Sequence, residues 1–505
     1  MTSSFQKSDM ARQRTFLNAV KWAYTGNWGE RAFSALFTFI LAAVLGPRDF
    51  GVVAIAMIYI TFLQMFLDQG FIAALIQKKD LEQEHLDAVF WMDVVLSLIL
   101  VVASVLLSGW WAAKNHAPES ARVISVLSIC VLIQGLSAVQ GAMLSRNMDF
   151  KALSIRANAA VLVSGVVGIG MAVAGFGVWA LVGQQLSRDF TALILLWRLS
   201  PWRPRLEFSL KHLKELVGFA SSNFAAQLGI FAEMQAGSVL LGLLFGPIAV
   251  GLYRLADRLV YSVVAMATTS IQSVSLPEFA RFQNQPAQLR KSALICIRLS
   301  SIVTLPILSG MAAVSRPLLA TLGPKWVPAT DALRILCLVG MSIVFSCFTG
   351  PLLQALSRPH HLAVLEWARM AVGTALVVVA GLLVRTSSVD HQLMGIALAR
   401  CITMTCLVAP VFLFILMRLG EISFTDLISA VGPSLLASVS TVAAVAVIQL
   451  SGWMANDKPL TLLIAEAATG GIVGLTVLLM LDSQLYGLVL SLPQRMFRCL
   501  SPGRA

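Results

Sequence analysis

Charge is scarce in this chain. Asp, Glu, Lys and Arg make up 12% of its 505 residues, about half the share of an average soluble domain. So few charges cannot cover a water-facing surface. Histidine is limited to residues 85, 116, 212, 360, 361 and 391. None stands in an H-E-x-x-H arrangement, which removes the helix-borne zinc hydrolase pattern. No G-x-x-x-x-G-K-[ST] loop is present, so ATP hydrolysis by that phosphate cradle is excluded. The cysteines, at 130, 296, 337, 347, 401, 406 and 499, are odd in number and include no C-x-x-C. They imply neither a disulfide framework nor a redox or metal motif, and no cofactor is expected. Long polar loops are missing too: none exceeds about 20 residues, below the size at which a segment buries its own core. An appended catalytic domain is thereby excluded.

What the chain has is apolar mass: 58% hydrophobic residues and a mean hydropathy of +0.82. This composition predicts an all-α polytopic membrane protein. The net charge of +12 is spread along the chain without a basic, aromatic-studded domain, so nucleic acid is not a partner. Met1–Ala19 is polar, with Lys7, Arg12 and Arg14, and the apolar run after it lacks a small-residue cleavage site. It reads as a first membrane helix, not a removed signal peptide. Apolar runs of about 20 residues or more place spans near 18–45, 50–75, 88–112, 121–144, 155–174, 178–199, 216–243, 248–272, 293–316, 329–356, 361–384, 393–417, 428–451 and 459–481. The expected number is fourteen.

Loop charges give an orientation. With the N-terminus inside, twenty-two of the 37 Lys and Arg fall on cytoplasmic segments, among them Lys78, Lys79, Arg146, Lys151, Arg156, Arg203, Arg205, Lys211, Lys214, Arg290 and Lys291. Seven fall on the other side: Arg48, Lys114, Arg122, Arg316, Lys325, Arg385 and Lys458. The positive-inside rule then puts both termini in the cytoplasm. The longest links are the basic 200–215 and the polar 277–292. An internal repeat is visible as well. Gly46-Pro47-Arg48-Asp49-Phe50-Gly51 recurs as Gly246-Pro247-Ile248-Ala249-Val250-Gly251, at an offset of 200 and at equivalent places in two six-helix halves. Parallel repeats of this kind characterise transporters whose substrate site lies between two lobes.

Charges inside spans are costly in lipid and mark function by default. Arg298, Arg334 and Arg400 lie within one or two turns of a helix end, where a long side chain can reach the interface. Arg31, Arg188, Arg254, Arg258 and Arg369 lie deeper, and together predict a cationic cavity poised for an anionic ligand. Arg254, Asp257 and Arg258 share one helix face by their i, i+3, i+4 spacing. The competing reading is structural ion pairing, such as Arg31 with Glu233 or Arg369 with Glu366. A desolvated carboxylate can exchange protons, which makes Glu30, Glu233, Asp257 and Glu366 candidates for ion coupling. Asp68 and Asp93, close to the expected cytoplasmic side, read instead as partners of an Arg or near-interface charges.

Several stretches are more specific. Gly175-Phe-Gly-Val-Trp-Ala-Leu-Val-Gly-Gln-Gln185 with Leu199-Ser-Pro-Trp-Arg-Pro-Arg-Leu206 resembles the signature of Wzx-type bacterial polysaccharide flippases, in their colanic-acid-exporter-like branch. So do Pro47-Arg-Asp-Phe-Gly-Val-Val-Ala54, Asp68-Gln-Gly-Phe-Ile-Ala-Ala-Leu-Ile-Gln77, Lys325-Trp-Val-Pro-Ala329 and Gly350-Pro-Leu-Leu-Gln-Ala355. The resemblance runs from about Lys21 to Leu419. It implies the multidrug/oligosaccharidyl-lipid/polysaccharide exporter fold, in which two six-helix lobes enclose a central cavity and two more helices follow. On that plan 1–200 is the N-lobe, 201–215 a cytoplasmic linker, 216–420 the C-lobe, and 421–505 helices 13 and 14 with a tail.

The implied substrate is an oligosaccharide repeat unit on undecaprenyl diphosphate, flipped to the periplasmic leaflet of the inner membrane without covalent chemistry. Membrane lipids, and the polymerase and chain-length regulator of the same pathway, are the implied partners. Arg31 falls where many relatives carry a first-helix Arg. Met234 and Gly237 replace a charge pair common in relatives, and Glu233 stands in for it. Competing readings are a multidrug exporter or lipid II flippase of the same fold, and a membrane-embedded polysaccharide polymerase or ligase.

Overall fold

With no water in the hydrocarbon core, backbone N–H and C=O groups must bond within their own segment, so the apolar runs fold as helices. The computed structural model describes residues 26–481, apart from 68–70, 73–74, 76–79, 148, 208, 210, 213–227, 230, 232–233, 357–358, 420 and 452–457. Asp68 and Glu233 lie outside the described residues. Every regular element among those described is a helix, and the chain is a multi-pass membrane protein.

Among the described residues, ten helices are long and apolar enough to cross a bilayer, and each coincides with one of the fourteen expected spans. Two more expected spans are helical but carry embedded charge: Val178–Leu199, with Arg188 and Asp189, and Pro247–Arg281, with Arg254, Asp257 and Arg258. The first span is helical over 26–44. Of 216–243, the apolar helix Met234–Phe245 is described. The link expected at 277–292 is much shorter: one helix runs through Pro277 to Arg281 and the next starts at Pro286. A six-residue π-helix, Thr403–Val408, joins Val389–Ile402 to Ala409–Leu419. Pro410, just past it, cannot donate to the carbonyl four residues back, which favours a widened turn.

The chain packs as two units. One comprises the chain to Leu255 with Glu366–Ile396, the other Ala256–Leu365 with the chain from Ala397. In the first unit, Val52, Ala56, Ile60 and Leu63 of the Pro47–Leu67 helix pack on Val123, Ile124, Leu127 and Val131. In the second, Phe279, Ile297, Phe348, Phe412 and Val431 form the core.

The repeat seen in the sequence has a physical basis within the first unit. A Cβ built on Gly51 would lie 1.7 Å from the Pro247 carbonyl oxygen, and one on Gly251 would lie 1.9 Å from that of Pro47. The starts of the Pro47 and Pro247 helices therefore meet backbone to backbone, each through the other's glycine. Asp49 Oδ2 accepts from the Gly46 N–H at 3.1 Å and fixes the first turn. Gly246, at φ +79°, forms the second in a conformation that favours glycine.

Candidate functional site

A polar cavity of about 260 Å³ opens inside the first unit. Five helices build it, and helical periodicity explains their contributions. Val178–Leu199 presents Gln185, Arg188, Asp189, Ala192 and Leu196, a single stripe. Ile129–Arg146 presents Cys130, Ile133, Gln134 and Ser137 at the same i, i+3, i+4, i+7 spacing. Phe150–Val173, capped by the Asp149 carboxylate on the Ala152 N–H, adds Arg156, Ala157 and Ala160. Gln64 and Glu30 come from the Pro47–Leu67 and 26–44 helices.

The charges in this cavity balance, two arginines against two carboxylates, but they are not evenly paired. Arg188 Nη2 donates to Glu30 Oε1 at 2.5 Å, with both side chains half-buried. Asp189 accepts from Gln185 Nε2 at 3.0 Å, and Cys130 lines the same cavity. Arg156 is different: its Nε is buried and has no hydrogen-bond partner among the described residues. A buried donor left unsatisfied costs about 1–3 kcal/mol, more when charged. Arg156 also lines the cavity beside Arg188, where an anionic or carbonyl-bearing ligand would offset its charge. Three glutamines and a serine line the same cavity, and a primary amide both donates and accepts, which suits hydroxyl-rich ligands.

The other sequence candidates are dispersed. Arg31 is half-buried on the helix that carries Glu30 but does not line the cavity. Arg254 Nη2 donates to Gln235 Oε1 at 2.5 Å, in the first unit. Arg369 pairs with Glu366 one turn earlier on its own helix at 2.6 Å. In the second unit, Arg258 is exposed. Asp257 is bound not to its helix neighbours but to Arg400 at 2.6 Å, so Arg400 does not simply reach for the interface. Asp93 is fully buried.

Arg156, the second residue of the expected 155–174 span, was counted with the cytoplasmic charges and not among the deep arginines. It sits seven residues into the Phe150–Val173 helix. A usable signal was present: Gln64, Gln134 and Gln185 are uncharged polar residues inside otherwise apolar windows.

The sequence pattern of the family described as "Polysaccharide biosynthesis protein" matches residues 40–331, more than half of the chain. The chain belongs to that family. Among its relatives, "Succinoglycan biosynthesis transport protein ExoT" of Rhizobium meliloti is 24% identical over 70% of this chain and 71% of its own length. "Teichuronic acid biosynthesis protein TuaB" of Bacillus subtilis is 27% identical over 59% of this chain and 62% of its own. "Lipopolysaccharide biosynthesis protein WzxC" of Escherichia coli is 23% identical over 63% and 65%. In structure, the family member resembles the lipid II flippase MurJ in an inward closed conformation, with a TM-score of 0.70 at 14% identity over 93% of this chain and 99% of that one. An inward-facing multidrug resistance MATE transporter of the MOP superfamily gives 0.60 at 17% identity over 78% and 96%. The fold of this family member is therefore the one these transporters share.

Proposed function

We propose that the chain is a flippase moving undecaprenyl-diphosphate-linked oligosaccharide repeat units from the cytoplasmic to the periplasmic leaflet of a bacterial inner membrane. The product would feed exopolysaccharide or lipopolysaccharide polymerisation. On this reading the 1–200 and 216–420 lobes alternate access, the 201–215 linker is cytoplasmic with both termini, and no covalent bond is made or broken. The observation that carries the proposal is a polar cavity lined by Arg156 and Arg188 together with Gln64, Gln134 and Gln185.

Guanidinium groups bind phosphate oxygens through paired, charge-assisted hydrogen bonds, and amides serve sugar hydroxyls. A diphosphate would complete Arg156 and compete with Glu30 for Arg188. The displaced Glu30 carboxylate would then take up a proton or a cation, which couples ligand entry to ion movement. Glu233, Asp257 and Glu366 remain further coupling candidates, and Arg31, Arg254, Arg258 and Arg369 further ligand contacts.

The test is genetic and chemical. Deleting the gene should abolish surface polysaccharide and leave lipid-linked repeat units facing the cytoplasm. The wild-type chain should restore export, and the Arg156→Ala chain should not, at equal abundance. Normal polymer with altered drug resistance in the deletion strain would overturn the proposal in favour of a multidrug exporter.

A further inference from the structure

Two histidines and a glutamate meet at the start of the Gln83–Lys114 helix, and none of them lines the polar cavity. Glu82 stands at the helix N-cap and His85 one turn in, an i, i+3 spacing that puts both side chains on one face. His212, far along the chain, comes to the same place. Its Nε2 lies 3.4 Å from Glu82 Oε2, and its ring meets that of His85 in a T-shaped contact with centroids 4.5 Å apart. One ligand-type atom from each of the three residues lies within 4.8 Å of the other two. His85 is 2% exposed, His212 is half-buried and Glu82 is exposed.

The segment leading to His212 is fastened to this helix by its backbone. Gln83, Asp87 and Trp91 form an i, i+4, i+8 stripe. Gln83 Nε2 donates to the Arg203 carbonyl at 3.1 Å, Asp87 Oδ1 accepts from the Arg205 N–H at 2.9 Å, and Trp91 Nε1 donates to the Arg205 carbonyl at 2.7 Å. Trp202 is buried with Leu86, Val89 and Phe90 of the same helix. All of these residues belong to the first unit. The three donors are therefore held near one another before an ion arrives, which lowers the ordering cost of binding it.

Two imidazoles and a carboxylate are a donor set for zinc-like ions. Zinc holds such ligands at about 2.0–2.2 Å in a tetrahedron, which sets ligand atoms about 3.4 Å apart. His212 and Glu82 already stand at that separation, 3.4 Å, and the widest gap in the cluster, at most 4.8 Å, need close by only about 1.4 Å. Nδ1 of His212 lies 2.7 Å from Ser209 Oγ. A proton on that nitrogen, donated to Ser209, leaves Nε2 as the ligand, and such an outer bond ordinarily orients a metal-bound imidazole. His85 Nδ1 accepts from the Glu82 N–H at 3.3 Å, a long bond that a metal can replace.

We infer that Glu82, His85 and His212 bind a divalent transition-metal ion of the zinc type, which ties the segment carrying His212 to the start of the Gln83–Lys114 helix. Three protein ligands leave one tetrahedral position for water, on the side that the exposed Glu82 opens to solvent. Magnesium and calcium do not suit the site, because they take oxygen ligands in preference to imidazole nitrogen.

The test uses the full chain, free of any polyhistidine tag, in detergent micelles with zinc, cobalt(II) or magnesium chloride added. Zinc should be retained at one ion per chain in native mass spectrometry and should raise the unfolding temperature. Cobalt should give the visible absorption of a four-coordinate site, and magnesium should do neither. His212→Gln should lower zinc affinity about a hundred-fold or more, since loss of an outer-shell partner alone costs about 10–100-fold. His85→Gln, whose amide can still accept from the Glu82 N–H, should do the same while its metal-free unfolding temperature stays near wild type. Zinc should also slow amide exchange in peptides that contain His212. His391→Gln, on an exposed histidine beside Asp390, should change nothing. Absence of zinc binding would overturn the inference, as would wild-type affinity in the His212 and His85 variants. Stabilisation by magnesium equal to that by zinc, or loss of affinity in the His391 variant, would overturn it too.

Discussion

The polar cavity of the first unit and the apolar cavity of the second make opposite use of buried charge. The first is the smaller, about 260 Å³, and gathers four charged side chains and three glutamines. The second, about 480 Å³, is walled by Ile302, Val303, Pro306, Ile307, Val445, Leu475 and Leu478, with Thr441 and Glu466 as its polar members. Glu466 is completely buried. One of its oxygens accepts from Gln449 Nε2 at 3.2 Å, and the other has no partner among the described residues. Size therefore does not identify the solute site. Charge is costly in hydrocarbon, and where the fold collects several charges around one space the cost is offset among them or by a ligand. An isolated carboxylate on an apolar wall has no such compensation.

The strongest test of this contrast replaces the arginines of the first cavity. Arg156→Ala and Arg188→Ala should each remove a charge-assisted bond to substrate, lowering affinity about ten- to a hundred-fold. Polysaccharide export at matched abundance is the readout. Arg188→Ala should also lower abundance by stranding Glu30, and adding Glu30→Gln should restore abundance without restoring export. Recovery of export in that double variant would break the contrast.

Glu466 probes the other cavity. Glu466→Leu removes an oxygen that lacks a partner, so the protein should become more stable by about 1–3 kcal/mol, or unchanged, with export retained. Thermal unfolding in detergent checks this, and loss of export at normal stability would give the second cavity a transport role. A smaller effect is expected from Gln134→Leu. It should cut export a few-fold, as for one net hydrogen bond of about 1 kcal/mol, while leaving unfolding unchanged. Least of all, Arg258→Gln, on an exposed side chain in the second unit and outside the first cavity, should leave export unchanged at matched abundance. A large loss of export there would restore the cationic face expected from Arg254, Asp257 and Arg258.

Legibility from the sequence divides along the same physical line. The helical class and the ten apolar spans were readable, as was the Gly46–Gly51 and Gly246–Gly251 repeat, whose glycines turn out to touch. Arg188 and Glu30 were readable as embedded charges, though not as each other's partner. Asp257 was assigned by spacing to its own helix, whereas it bonds Arg400, 143 residues away. Arg156 was passed over because it stood second in the expected 155–174 span, whereas the helix begins at Phe150.

Hydropathy is a sum over neighbouring residues, and a helix in lipid satisfies its own backbone. Composition and pattern alone therefore determined that this chain crosses a membrane many times, where most of its helices run, and most of the charges that lie within them. Which of those charges share a space depends on how each helix is rotated and on which distant helix it packs against. No local sum contains either quantity. Packing of five helices is what placed Arg156, Arg188, Glu30 and Asp189 around one cavity, and only the tertiary structure decided it.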